Sequence, residues 1–151
     1  MEGIAVNDFF LLLKTGFASE YAFLIKAQNF HWNVTGRNFS QDHALFERIY
    51  EEVGDIIDDF AENLRKSGTF APATLAQLGD LSVIEDAPET PVNADDMYRA
   101  LLADSDTMAE LFAALFDLAE THHEHGLSNF MADRQDAHRK HSWMLRSAIG
   151  A

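Results

Sequence analysis

Five side chains in the first half of the chain are of types that ligate metal ions, and their spacing gives them an order: His31, His43, Glu47, Asp58 and Glu62. On a helix turning about 100 degrees per residue, the last four fall at about 0, 40, 60 and 100 degrees, all on one face. They form two i, i+4 pairs, but His43 and Asp58 are separated along the axis by a rise of about 22 Å. One straight helix cannot bring both pairs to a single ion, so each pair needs partners from elsewhere.

His31, across a short turn from His43, can complete the first pair. The four helical positions are symmetric about a point between Glu52 and Val53. A two-fold axis there would lay the helix antiparallel on its own copy, setting His43 and Glu47 of one chain beside Glu62 and Asp58 of the other, twice per dimer. Gly54, close to that point, would let the backbones approach. Two imidazoles and three carboxylates make a nitrogen and oxygen donor set suited to Fe(II), with Mn(II) or Zn(II) as competitors on ligand type. Taken singly, exposed acids at i, i+4 and a lone histidine are ordinary surface features; the symmetry of the set is what points to a site.

The elements that must position these residues read as helices. Residues 5–32 and 40–67 carry helical periodicity, the second opening at Ser40 as N-cap and closing with Arg65, Lys66 and Gly68. Asn33-Val34-Thr35-Gly36 supplies the turn between them. All three prolines, Pro72, Pro88 and Pro91, lie in one connection near residues 68–93, which has room for a short helix at 72–78. Asn93 caps a third helix, running to about residue 122 with Asp95 and Asp96 in its first turn. Gly126 separates it from a fourth, from about Leu127 to Ala148, with Phe130, Ala137, His141, Met144 and Leu145 as inward candidates. No strand-like alternation appears. The pattern predicts an all-α, ferritin-like four-helix bundle with one long crossover, as a single domain over 1–151. The first helix is apolar most of the way round, from Phe9 to Ile25, which points to cover by a second subunit.

Composition narrows the function classes. The chain has 151 residues, no cysteine and a net charge of −14. Disulfides, thiolate metal sites and a cysteine nucleophile are excluded, and a reducing cytoplasm is the expected location. An acidic surface repels phosphate and anionic lipid, which disfavours nucleic acid and membrane as partners. The one strongly apolar start, Phe9 to Leu13, is far shorter than the roughly 20 residues of a membrane span.

The motif His31-Trp32-Asn33-Val34, Gly36, Phe39, His43, Glu47, followed by Asp58, Ala61 and Glu62, resembles the signature of the Dps mini-ferritins, and Lys140-His141-Ser142-Trp143-Met144-Leu145-Arg146 resembles that family's last helix. The resemblance implies a hollow dodecamer built from two-fold dimers. It implies a ferroxidase that oxidises Fe(II) with hydrogen peroxide or O2 at inter-subunit sites and stores the ferric product. It assigns His31, His43 and Glu47 to one subunit and Asp58 and Glu62 to its partner, the pairing that symmetry gives independently. Trp32 matches the family's tryptophan, a radical interceptor or else an interface aromatic. Asn63 stands where the family usually has Arg. DNA-binding members commonly carry a Lys-rich terminal extension, whereas residues 1–13 hold no base and five uncharged residues follow Arg146; DNA binding is therefore not expected.

Three further signals keep two readings each. Glu51, Asp55 and Asp59 form a second acidic stripe, either a mineral-nucleating face or a solvated one. His122, His123, Glu124 and His125 sit at a turn, either beside an assembly pore or simply solvated. Glu120 and His123 form one E-x-x-H, the pattern of di-iron sites inside a bundle, without the second copy such sites require; His138 and His141 read as packing or pore-side residues. The functional classes in competition are an iron-storing ferroxidase, a DNA-compacting or DNA-protecting nucleoid protein, and a structural or zinc-binding helical assembly, the first being favoured.

Overall fold

Backbone chemistry at the connections decides where each helix stops. Gly36, with φ of 126°, turns the chain after the first helix in a conformation that side chains disfavour, and the Phe39 amide donates to the Gly36 carbonyl at 3.2 Å. Gly68 ends the second helix in the left-handed region, donating its amide to Arg65 and Leu64. The computed structural model describes residues 6–150, with side chains from residue 8. Its helices are α1 (Val6–Asn33), α2 (Phe39–Ser67), α3 (Leu75–Leu81), α4 (Ala94–Thr121) and α5 (His125–Ile149). Among the described residues there is no strand, and no helix is long and apolar enough to cross a membrane. The expected first residue of the first helix, residue 5, lies outside the described residues.

The four long helices form two hairpins, α1 with α2 and α4 with α5, joined by the crossover that carries α3 against α1. Asn93 caps α4 as expected, its side chain accepting from the Asp96 amide at 2.8 Å. Four details differ from the sequence reading. Gly126 does not separate the last two helices but lies in the first turn of α5, which starts at His125; the break falls at His122–Glu124, where His123 takes a φ of 58°. Ser40 is not the N-cap of α2: the helix starts one residue earlier, at Phe39, after Asn38, which makes no side-chain cap. The short helix begins at Leu75 rather than 72, because the Thr74 hydroxyl accepts from the Gln77 amide and starts it there. The inward stripe of α5 runs through Leu127, Met131, Arg134, His138, His141 and Leu145, while Phe130, Ala137 and Met144 are only half-buried.

Phenylalanines fill the apolar core: Phe23, Phe30, Phe46, Phe60 and Phe112 are fully enclosed, and the Phe60 ring meets Phe17, Phe112 and Phe130. Polar groups join three of the helices through the same interior. Arg134 of α5 donates from Nε to Glu20 of α1 at 3.0 Å and from both terminal nitrogens to Glu52 of α2, at 2.6 and 3.1 Å. His138 and His141 hydrogen-bond the other sides of Glu20 and Glu52. His138 and His141 are therefore core residues, buried and partnered within one chain. On α1, Leu11 and Ile25 remain exposed, as do Leu75 on α3 and Phe70 ahead of it, so part of the apolar excess of α1 is left uncovered by its own chain.

Burial raises the Glu52 carboxyl, but the hydrogen bonds from His141 and Arg134 and the Arg134 charge outweigh it and set the pKa at about 2. A carboxylate held below its unfolded value stabilises the fold above that value and loses the contribution as pH falls toward about 2. Glu52→Gln should therefore lower stability at neutral pH by about 1.5–3 kcal/mol, nearer the lower figure because Glu52 is partly in water. It should also flatten the decline in urea midpoint between the ordinary carboxylate pKa and about 2. A variant with the wild-type acid profile would show that Glu52 does not carry this dependence.

Candidate metal centre

His31 lies in the last turn of α1, where helix carbonyls run out of intrahelical partners, and His43 lies in the second turn of α2. The tight Gly36 turn sets them side by side. Their rings stack with centroids 3.6 Å apart and planes 15° from parallel. Each Nδ1 sits 2.7 Å from the other residue's backbone oxygen. A carbonyl can only accept, so both Nδ1 atoms carry the proton and both rings, when neutral, keep the Nε2 lone pair free. That is the arrangement by which metal-binding imidazoles are oriented. Phe39 stacks on His43 with centroids 5.0 Å apart, and Tyr50 sets its ring against His31 at 5.2 Å. Burial, with Glu47 and Glu51 nearby, pushes the Tyr50 phenol up, so it stays protonated. His31 is buried, His43 and Glu47 half-buried.

The other pair lies at the far end of the same helix. Asp58, Asp59 and Glu62 are exposed and offer carboxylate oxygens all within 4.8 Å of one another. The hydrogen bond with Asp58 and the Asp58 charge hold the Glu62 carboxyl above its ordinary range; slight desolvation and Asp59 add to this, and Lys66 opposes it. Like charges crowded at a surface are relieved either by a shared proton or by a cation. Within one chain, the structure unites His31 with His43, and Asp58 with Glu62, and keeps the two groups apart. The sequence reading placed Asp59 on the neighbouring stripe with Glu51 and Asp55; its carboxylate also comes within reach of Asp58 and Glu62. Glu51 and Asp55 are exposed on α2, as the stripe requires.

The remaining candidates stand further off. Trp32 is 67% exposed, pointing away from its own chain. His122 is half-buried, stacked on Phe9 with centroids 4.6 Å apart, so it is tied to the bundle rather than free at the turn. His123, Glu124 and His125 are exposed, His123 in the left-handed region with φ of 58°. His125 Nδ1 lies 3.5 Å from Glu120. The E-x-x-H of Glu120 and His123 is therefore at the surface and not inside the bundle. Asn63 donates to the Asp59 carbonyl at 3.0 Å, a local contact within α2.

Sequence reasoning missed the buried set around Arg134. The available signal was Glu20 inside an otherwise apolar helix, and Arg134 one turn from His138 and two turns from His141. It also missed Tyr98, whose hydroxyl donates to Asp42 in the interior and ties α4 to the start of α2; burial and that bond push the Tyr98 phenol up.

A family model described as a ferritin-like domain matches residues 11–151. The DNA protection during starvation protein of Brevibacillus brevis is 31% identical over 140 residues, covering 92% of this chain and 93% of that protein. The protein of the same name from Helicobacter pylori is 29% identical over 140 residues, covering 93% and 97%. The crystal structure of a Dps protein from Bacillus brevis superposes with a TM-score of 0.88 at 28% identity, over 93% of this chain and 94% of that one.

The reciprocal histidine contacts make a spectroscopic prediction. Solid-state spectra of 15N-histidine protein without metal, above the imidazole pKa, should show His31 and His43 protonated at Nδ1 and bare at Nε2, and Zn(II) should shift the Nε2 resonances. Protonation of both rings at Nε2 instead would refute the arrangement.

Proposed function

The chain belongs to the ferritin-like family, among the Dps mini-ferritins, and from that premise we propose that it is an iron-storing ferroxidase whose centre is shared between two subunits. The observation that carries this reading is the pair of cross-locked imidazoles on one end of an α2 face whose other end presents Asp58 and Glu62. An antiparallel α2 pair about the point between Glu52 and Val53 brings these ends together. Gly54 is exposed there, and a methyl group at that position would meet only Leu24, at 3.7 Å. The exposed apolar side chains of α1 and α3 fit further burial in a dodecamer, the assembly of the family's members, with a mass of about 204 kDa from twelve chains of 17.0 kDa.

Iron is the substrate. The pre-oriented Nε2 atoms of His31 and His43 supply neutral donors for Fe(II), while Glu47, Asp58 and Glu62 supply negative charge that favours Fe(III) over Fe(II). Two Fe(II) ions give up one electron each, the O–O bond of hydrogen peroxide breaks, and two protons complete two waters. Glu51, Asp55 and Asp59, continuing the acidic surface beside the centre, would receive ferric product in a central cavity. The exposed His123, Glu124 and His125, with His122 behind them, are the pore-side candidates. Trp32, exposed next to His31, would be covered by the second subunit and would intercept radicals. Zn(II) and Mn(II) fit the same donors and should act as competitors, and a cytoplasmic location accords with the absence of cysteine.

His31→Ala with His43→Ala should reduce peroxide-driven Fe(II) oxidation at least 100-fold while the native mass stays near 204 kDa. Unchanged kinetics in an intact double variant would place the centre elsewhere, and a wild-type monomer at micromolar concentration would sink the two-chain site.

DNA protection is named in the relatives and is a function suggested by the family, but this chain's charge of −14 opposes contact with phosphates. No shift of a long duplex is expected in moderate salt with chelator. A discrete, salt-sensitive complex under those conditions would reveal basic patches on the assembled surface.

A further inference from the structure

The charged cluster in the bundle interior has a hydrogen-bond pattern that fixes where its protons lie. Glu20, Arg134 and His138 are each 2% exposed or less, and Glu52 closes the set from the side of the solvent. Arg134 donates to Oε2 of both carboxylates, at 3.0 Å to Glu20 and 2.6 Å to Glu52. Glu20 Oε1 lies 2.6 Å from His138 Nε2, and Glu52 Oε1 lies 2.8 Å from His141 Nε2. Burial raises the Glu20 carboxyl, but the charges and hydrogen bonds of His138 and Arg134 outweigh it, so Glu20 is ionised. An ionised carboxylate only accepts, so His138 Nε2 carries a proton.

Ser105 of α4 decides the other ring nitrogen. Its hydroxyl has a single proton, which it donates to the His138 carbonyl at 2.8 Å. The same hydroxyl oxygen lies 3.3 Å from His138 Nδ1. With its proton committed to the carbonyl, that oxygen can only accept from the ring, so Nδ1 carries a proton as well. We propose that His138 is a buried imidazolium in the folded protein at neutral pH, the second cation of a charge-balanced cluster, and that release of its Nδ1 proton at alkaline pH is a built-in switch that loosens α5 from α1 and α4.

Two carboxylates, Glu20 and Glu52, then face two cations, Arg134 and His138. His141 stays neutral, because desolvation lowers its proton affinity and the charges of His138 and Arg134 add to that against the pull of Glu52. The groups around His138 are Glu20 and Phe23 from α1, Ser105 and Phe112 from α4, and His141 and Arg134 from α5, with Glu52 of α2 behind Arg134. Asp104, next to Ser105, is turned away to Lys26 at 2.8 Å. Loss of the Nδ1 proton leaves the interior with one carboxylate charge unbalanced. It also divides Ser105 between two acceptors: its hydroxyl either turns to Nδ1 and abandons the His138 carbonyl, or stays and leaves Nδ1 without a donor.

The cluster lies within one chain and involves no iron, so the inference is independent of the two-chain ferroxidase reading. Neutron diffraction from crystals of the metal-free full chain at neutral pH should show deuterium on both ring nitrogens of His138 and none on Glu20. A single deuterium on the His138 ring, or one seated on a Glu20 oxygen, would overturn the proposal. The switch is read in solution. A proton that the fold holds and the unfolded chain releases stabilises the fold in full below the ordinary imidazole value of about 6.5, and progressively less as pH rises above it. The melting temperature of the metal-free wild type should therefore fall more steeply above neutrality than that of His138→Gln, which has no ring proton to lose. Ser105→Ala, which removes the acceptor of the Nδ1 proton, should start the fall at lower pH. Parallel profiles for wild type and His138→Gln would overturn the switch. If His138→Gln does not fold, the profile of Ser105→Ala against wild type decides, and an unmoved onset would overturn the switch equally.

Discussion

A straight helix fixes how far apart its own residues lie, and that rigidity governs the candidate centre. Residues 43 and 58 of α2 are separated by a rise of about 22 Å, and nothing inside one chain can shorten it. The helix runs unbroken from Phe39 to Ser67, so the His43–Glu47 and Asp58–Glu62 pairs could meet at one ion only across a symmetry axis. The same rigidity would make the proposed arrangement economical: one helix would supply both halves of a centre, and a two-fold axis would double the count without any new residue type.

Local backbone chemistry then prepares the imidazoles. The His31 carbonyl lies at the end of α1, where a helix leaves oxygens without amide partners, and it accepts from His43. The His43 carbonyl lies inside α2 and uses its second lone pair to accept from His31. Two helix segments thereby hold each other's imidazole in one tautomer, with Phe39 and Tyr50 flanking the stack. Such pre-orientation lowers the reorganisation that metal capture would otherwise require.

The interior combines an aromatic core with a charged cluster, and the two do different things. Phenylalanine packing supplies the non-directional driving force for burial. The Glu20–Arg134–Glu52 set supplies direction, joining α1, α2 and α5 in a single register. Buried charges are tolerated only when each oxygen and nitrogen is answered, and here one imidazole nitrogen is left unanswered.

Residue order alone determined a good deal of this protein. Periodicity and punctuation were enough for four long helices and one crossover, because Gly36, Gly68 and Asn93 act through local backbone geometry. The face shared by His43, Glu47, Asp58 and Glu62 followed from helical repeat, which needs no tertiary contact. Family motifs at His31, Trp32 and Glu62 were equally visible. Tertiary structure decided what depends on contacts distant in sequence. The two Nδ1 locks, the meeting of Asp59 with Asp58 and Glu62, and the bond from Tyr98 to Asp42 rest on side-chain placement that spacing does not encode. The inward stripe of α5 is the sharpest instance. Of the inward candidates, His141 and Leu145 are buried, but Phe130 and Met144 are only half-buried, and Arg134 and His138 lie deeper. A polar side chain becomes a core residue only when partners such as Glu20 and Glu52, more than eighty residues away in sequence, arrive to satisfy it.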